Sequence, residues 1–213
     1  IYTEGFDGIT VSGNEIANFE GTSAQDDKGI WLALNSKNAT VEKNNIHDLH
    51  YTGTGGYGGH GIMISSAASS CNVTAKNNII YGLSGDGYSY SGSLATDNPI
   101  GIAIGLGGTT TQSGINIYNN TIRLSGSTLN KSGALSMGIR VGDGSTVVDI
   151  RNNLIVNNLG LLAATGDGAC GLFVKTASTQ LSACDNNCYY INPTAGAKNF
   201  GRIVTTGQTT LAG

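Results

Sequence analysis

The 213 residues carry only 12% charged side chains, with 33 Gly, 2 Pro and a net charge of -3, where ordinary soluble domains hold roughly 25% charged residues, so Ser, Thr, Asn and Gly must cover much of the surface. Frequent short runs of Ile and Val exclude a disordered chain; 11 Lys+Arg against 14 Asp+Glu, with no basic block, give no counterion-release term for a nucleic-acid partner. No segment approaches the ~18 consecutive apolar residues of a membrane span, and Cys71, Cys170, Cys184 and Cys188 lack the CxxC spacing of a zinc site, so neither a metal nor a cofactor is expected.

Taken in chain order, one unit recurs. Ile1-Tyr2-Thr3 has no initiator Met, basic region or signal-peptide core, so an export signal is expected elsewhere, and residues 1–213 read as a single domain cut from a longer exported chain. The first unit, "FDGITVSGNEIANF", places Ile16 two residues after Asn14. The same step returns at Asn44/Ile46, Asn78/Ile80, Asn120/Ile122, Asn153/Ile155 and Asn187/Tyr189, at intervals of 30, 34, 42, 33 and 34 residues. A Gly-aliphatic pair keeps phase with it at Gly29-Ile30, Gly61-Ile62, Gly101-Ile102, Gly138-Ile139 and Gly171-Leu172. Self-similarity at this period is the mark of a solenoid.

Within each unit, apolar residues alternate with the period of two that marks strands with one buried face. A first strand points Ile30/Leu32, Ile62/Ile64, Ile102/Ile104, Ile139/Val141 and Leu172/Val174 inward. A second points Ala39/Val41, Val73/Ala75, Ile115/Ile117, Val148/Ile150 and Ser182/Cys184 inward, and a third short strand begins two residues after each Asn. The expected fold is all-β: a right-handed parallel β-helix of about six coils, its hand set by strand twist and crossover preference. Asn14, Asn44, Asn78, Asn120, Asn153 and Asn187 are expected to stack as an internal ladder, satisfying backbone groups at a sharp corner. Asn-Ala-Thr at 38–40, Asn-Val-Thr at 72–74 and Asn-Lys-Ser at 130–132 match glycosylation acceptors but read as architecture.

The phrases "VEKNNIHDL", "INIYNNTIRLSG" and "DIRNNLIVNNLG" resemble the right-handed β-helix proteins of the pectin-lyase-like superfamily, and the tail "NNCYYINPTAGAKNFGRIVTTGQTTLAG" resembles the closing segment of exported surface β-helix proteins of Bacteroidetes-type bacteria. The resemblance implies secretion to the extracellular space or cell surface. It carries no activity, because the superfamily joins lyases, hydrolases, tailspikes and adhesins.

Long connections are expected at residues 17–28, 47–60, 81–100, 123–137 and 156–170, all on one edge. The richest carry His47, His50, His60, Tyr51, Tyr57, Tyr88, Tyr90, Asp86 and Asp97. Tyr rings that stack on sugar faces, with Asp and His for the hydroxyls, suggest glycan binding through Trp31, Tyr57, His60, Tyr88, Tyr90 and Arg140; packing of a long loop is the competing reading. The outward column Trp31, Met63, Ala103, Arg140, Phe173 wants either a cover or a ligand. For catalysis the best grouping is Asp26, Lys28 and His60, with Lys28 and His60 equivalent one coil apart, but no lyase or polygalacturonase motif accompanies it, and no GxSxG suggests serine chemistry. An extracellular structural or adhesive module that binds polysaccharide or cell-surface glycan, or self-assembles, is therefore favoured over a polysaccharide lyase or glycoside hydrolase. Cys170 and Cys184 read either as a disulfide across the interior or as free thiols. The first coil has no cap before it, so it is expected to abut more protein.

Overall fold

A computed structural model describes residues 1–90, 96–105, 111–162, 167–203 and 206–208. The chain winds as a parallel β-solenoid of about six coils with three strands in each. The second coil is representative, with Asp27–Leu32, Thr40–Glu42 and Asn45–Tyr51; the third follows with Gly59–Ile64, Val73–Lys76 and Ile79–Ser84. Equivalent strands pair in parallel along the chain into an eight-stranded sheet A and six-stranded sheets B and C. Registers follow the sequence repeats, with Ile30 opposite Ile62 and Ile46 opposite Ile80. Burying this Ile, Val and Leu set along the axis forms one continuous core. Each isobutyl-sized side chain so buried contributes roughly 1.5–3 kcal/mol.

The corner between sheets B and C explains the Asn step. The residue before each ladder Asn is left-handed: Gly13, Lys43, Asn77, Asn119, Asn152 and Asn186 have φ between 53° and 68°. Asn and Gly tolerate that region best. The chain turns inward there, and the next Asn is held on both sides. Asn120 Oδ1 accepts from the backbone N–H and Nδ2 of Asn78 at 3.0 and 2.9 Å, while Asn120 Nδ2 donates to Asn153 Oδ1 and to the Ala75 carbonyl, both at 3.0 Å. The pattern runs unbroken from Asn14 to Asn187.

The Gly column has a different cause. A Cβ at Gly61 would lie 2.5 Å from Ile80 Cγ2 and 2.6 Å from the Gly101 carbonyl oxygen. Gly61 and Ile62 both turn toward the interior, so the alternation breaks and the preceding residue, His60, faces outward. The equivalent Ile100, Met137 and Cys170 likewise join Met63, Ala103, Phe173 and Tyr90 in a second apolar cluster outside sheet A. Cys170 thus lies on the opposite side of the sheet from the column of Cys184, and all four cysteines are free; the cross-interior disulfide is not formed.

Two other expectations need correction. The third strand is long, reaching Gly21, Tyr51, Ser84, Leu129 and Leu161 in successive coils, so the connections are shorter than the alternation implied. In the last coil a register shift opposes Leu181, not Ser182, to Val148; Leu181 packs on the core and Ser182 is exposed. The outward column of sheet A, expected to want a cover or a ligand, has the cover. The segment after Ser84 crosses over it: Ser89 bridges to Ala134, the Tyr90 ring meets Phe173 edge-on at 5.9 Å, and Arg202 stacks 4.2 Å from Tyr90 and donates to its hydroxyl. Residues 91–95 of that connection, 163–166 of a later one, and 204–205 and 209–213 of the tail lie outside the described residues. Sheet A closes with Lys198–Ile203 and an antiparallel Thr206–Gln208.

Candidate functional site

Beneath the crossing segment the proposed catalytic residues meet in a nearly dry cluster. His60 is fully buried; its Nε2 donates to the carbonyls of Thr96 and Asn98 at 2.7 and 3.1 Å, and its Nδ1 has no partner. Burial, then the nearby Lys28 charge, pushes its pKa down to about 3, so the ring is neutral. Lys28 bonds the Asp26 carbonyl at 3.1 Å and stands 3.9 Å from its carboxylate. Asp26 accepts the Gly58 N–H, yet burial raises its carboxyl to about 6. Burial, with Asp26 next, lifts Asp97 to about 6 as well. Arg140 is 1% exposed and donates to the Gly105 carbonyl at 2.8 Å.

The structure therefore brings Asp26, Lys28 and His60 together and adds Asp97, but His60, Arg140 and Tyr90 are buried. Trp31 sits at the edge of the covered face, donating to Ser65 Oγ at 2.8 Å with the Lys28 ammonium 5.0 Å from its ring. Tyr57 packs edge-on against Tyr51, and Tyr88 is exposed. Among the described residues, no group of three or more His, Cys, Asp or Glu is placed to hold a metal ion, and no helix is long and apolar enough to cross a membrane.

An open cleft of about 290 Å³ lies on the loop edge where sheet C ends, lined by Tyr51, Thr52, Thr54, Ser84, Asp86, Ser127, Thr128, Asn130 and Leu162. Asp86 organises it: its carboxylate accepts the N–H groups of Gly56 and Tyr57 at 3.0 Å, and its carbonyl accepts those of Asn130 and Lys131. The Tyr51 hydroxyl accepts from Gly55, fixing the same loop. The walls that remain are hydroxyls and an amide, with one exposed Leu. Of this lining, sequence reasoning reached Tyr51 and Asp86 and missed the Ser and Thr residues, whose abundance hides them.

No protein-family profile, curated protein or solved structure matches the chain.

Proposed function

We propose that the chain is a stiff extracellular or cell-surface β-solenoid module, structural or adhesive in role, that binds neutral carbohydrate in the loop-edge cleft. The observation that carries this reading is the cleft lining: neutral donors and acceptors from Thr52, Thr54, Ser127, Thr128 and Asn130 around an aromatic and an aliphatic side chain. Such a wall suits sugar hydroxyls better than a charged ligand, and its volume sits at the lower end of small-ligand sites. Kinship with the pectin-lyase-like superfamily belongs to the same proposal, supported by the coil geometry and the Asn ladder. Glycan-array screening followed by calorimetry tests it. Neutral oligosaccharides are expected to bind, about tenfold more weakly with Asn130→Ala, as loss of one hydrogen bond implies; no retention of any glycan at millimolar concentration sinks the reading.

Two further observations favour secondary readings. Tyr2, Phe6 and Phe19 are about half exposed on the first coil, beside strand edges that no other strand pairs with among the described residues; end-on self-association would cover them, and light scattering that stays monomeric at high concentration counts against it. The paired raised carboxyls of Asp26 and Asp97 favour the alternative of a polysaccharide lyase or glycoside hydrolase. Product release from acidic or neutral polysaccharides, abolished by Lys28→Ala, is the outcome that reading requires.

A further inference from the structure

Ser84, in the wall of that cleft, meets His50 and Asp48, which line a neighbouring pocket with Asn18, Phe19 and Glu20, in an arrangement that nothing local in the sequence announces. Parallel pairing in sheet C sets His50 opposite Ser84, and His50 Nδ1 lies 2.7 Å from Ser84 Oγ. On the other side of the ring, His50 Nε2 faces Asp48 Oδ1 at 3.7 Å. Asp48 reaches that place because its backbone is left-handed, with φ +52°, and its other oxygen is held by His47 Nδ1 at 2.8 Å. Room for the carboxylate comes from the neighbouring coil: a Cβ at Gly82 would stand 2.5 Å from Asp48 Oδ1. Ser84 is half-buried, and it opens on the cleft together with Gly85 and Thr128. The Gly85 N–H donates to Thr128 Oγ1 at 3.4 Å, at a point where Gly85 bridges to Gly58 of the coil before.

We propose that Ser84, His50 and Asp48 act as nucleophile, base and positioning carboxylate in the hydrolysis of acyl esters, with O-acylated carbohydrate as the substrate class. The carbohydrate half of this proposal rests on the reading of the cleft given above; the ester chemistry does not. With a proton on Nε2, toward Asp48, Nδ1 accepts from the Ser84 hydroxyl. As Ser84 Oγ attacks the ester carbonyl carbon, its proton passes to His50 Nδ1. The tetrahedral oxyanion is received by the N–H of Gly85, the residue after the nucleophile, and by the Thr128 hydroxyl. Collapse breaks the bond to the leaving oxygen, which takes the proton back from His50. Water then attacks the acyl-Ser84 carbonyl by the same route, releasing the carboxylic acid and regenerating Ser84. The 3.7 Å separation at Asp48 is long for a hydrogen bond, as unliganded catalytic contacts often are. Such sets are recognised by geometry and role, not by chain order.

The purified chain is to be treated with a fluorophosphonate and mapped by mass spectrometry, and its turnover of 4-nitrophenyl acetate compared with that of its variants. Phosphonylation is expected on Ser84 alone, with ester hydrolysis lowered at least 100-fold by Ser84→Ala and by His50→Gln, and 10- to 100-fold by Thr128→Val. Asp48→Asn is expected to lower kcat with KM unchanged, a split that mere loosening of the loop would not give. A label elsewhere or nowhere, or wild-type turnover equal to that of Ser84→Ala, overturns the site. Hydrolysis of the aryl ester without release of acetate from acetylated oligosaccharides overturns the substrate class alone, and glycan binding that survives in Ser84→Ala keeps the cleft reading separate from both.

Discussion

Two polar ladders climb this solenoid, one against the core and one in water, and they differ in how completely they are built. In the inner ladder Asn44, Asn78, Asn120 and Asn153 are each 1% exposed, and every oxygen receives two donors from the coil before. The outer ladder is exposed and short: Asn72 Nδ2 donates to Asn38 Oδ1 at 3.0 Å, and Asn38 Nδ2 to Asp7 Oδ1 at 2.6 Å. Its column continues as Gly114 and Val147, which share its left-handed backbone but offer no amide. The difference follows from solvent. A polar group left unpaired in the core costs roughly 1–3 kcal/mol, so a gap in the inner column is expensive, whereas water fills a gap in the outer one.

Asn120→Ala is the severest test of that contrast. It strips the acceptor from Asn78 N–H and Nδ2 and the donor from the Ala75 carbonyl, for an expected loss of about 3 kcal/mol or more. Asn72→Gly keeps the left-handed backbone and Asn130→Ala lies in an exposed loop, so both should stay within ~0.5 kcal/mol. Urea midpoints that shift equally for the three would refute the ladder's role. Between these extremes, Gly61→Ala should cost about 1–3 kcal/mol by overpacking against Ile80; a neutral result would mean that the inward bend of sheet A yields easily.

The buried cluster under the crossing segment extends the comparison to ionisable groups. Asp26 has a folded pKa of about 6 against 3.8, so it stabilises the fold when protonated, and that contribution is lost as pH rises through 6. His60 runs the other way: lowered from 6.5 to about 3, it favours the fold above 6.5 and withdraws that support as pH falls. Single substitutions should unmask each. From pH 6 to 4, Asn at position 26 should fall behind the wild type by up to about 1.4 kcal/mol per pH unit, while His60→Gln should gain on it by a similar slope below pH 6.5. Parallel stability-versus-pH curves for all three proteins would show that the cluster is wet.

Most of the architecture was legible because six copies of one pattern average out local noise: the Asn and Gly steps located the coils, and alternation assigned Ile62, Ile64, Ile115 and Ile117 to the core. What escaped lay where the backbone leaves the period of two. Left-handed Asn18, Asp48 and Gly82 interrupt sheet C, which made a long strand look like a short one and a loop. The bend at Gly171 turned Cys170 outward, against the side that parity assigned. The pairing of Tyr90 with Arg202 spans 112 residues with no repeat to signal it. His50 and Ser84 were within reach: the 34-residue step from Asn44 to Asn78, applied to His50, lands on Ser84. The missing ingredient was the left-handed backbone that swings Asp48 to the same ring.

An expected gain in stability sharpens the comparison most, because it concerns backbone and no ladder bond. At the left-handed corner position five coils carry Gly13, Asn77, Asn119, Asn152 and Asn186, and the second coil alone carries Lys43, at φ 55°. A lysine pays more than an asparagine to hold that conformation, and its compensation is slight: its ammonium is 3.9 Å from Glu42 with the side chain 67% exposed, a geometry in which ion pairs contribute little. Glu42 keeps Lys76 at 3.3 Å in any case. Lys43→Asn should therefore stabilise the fold by about 0.5–1 kcal/mol, seen as a higher urea midpoint at unchanged slope. Lys43→Gly should gain less, because glycine relieves the same strain but adds freedom to the unfolded chain. A gain for Gly larger than for Asn would point to side-chain crowding at the corner, and no gain for either would mean that the ladder next to it, and not the turn residue, sets the stability of the corner.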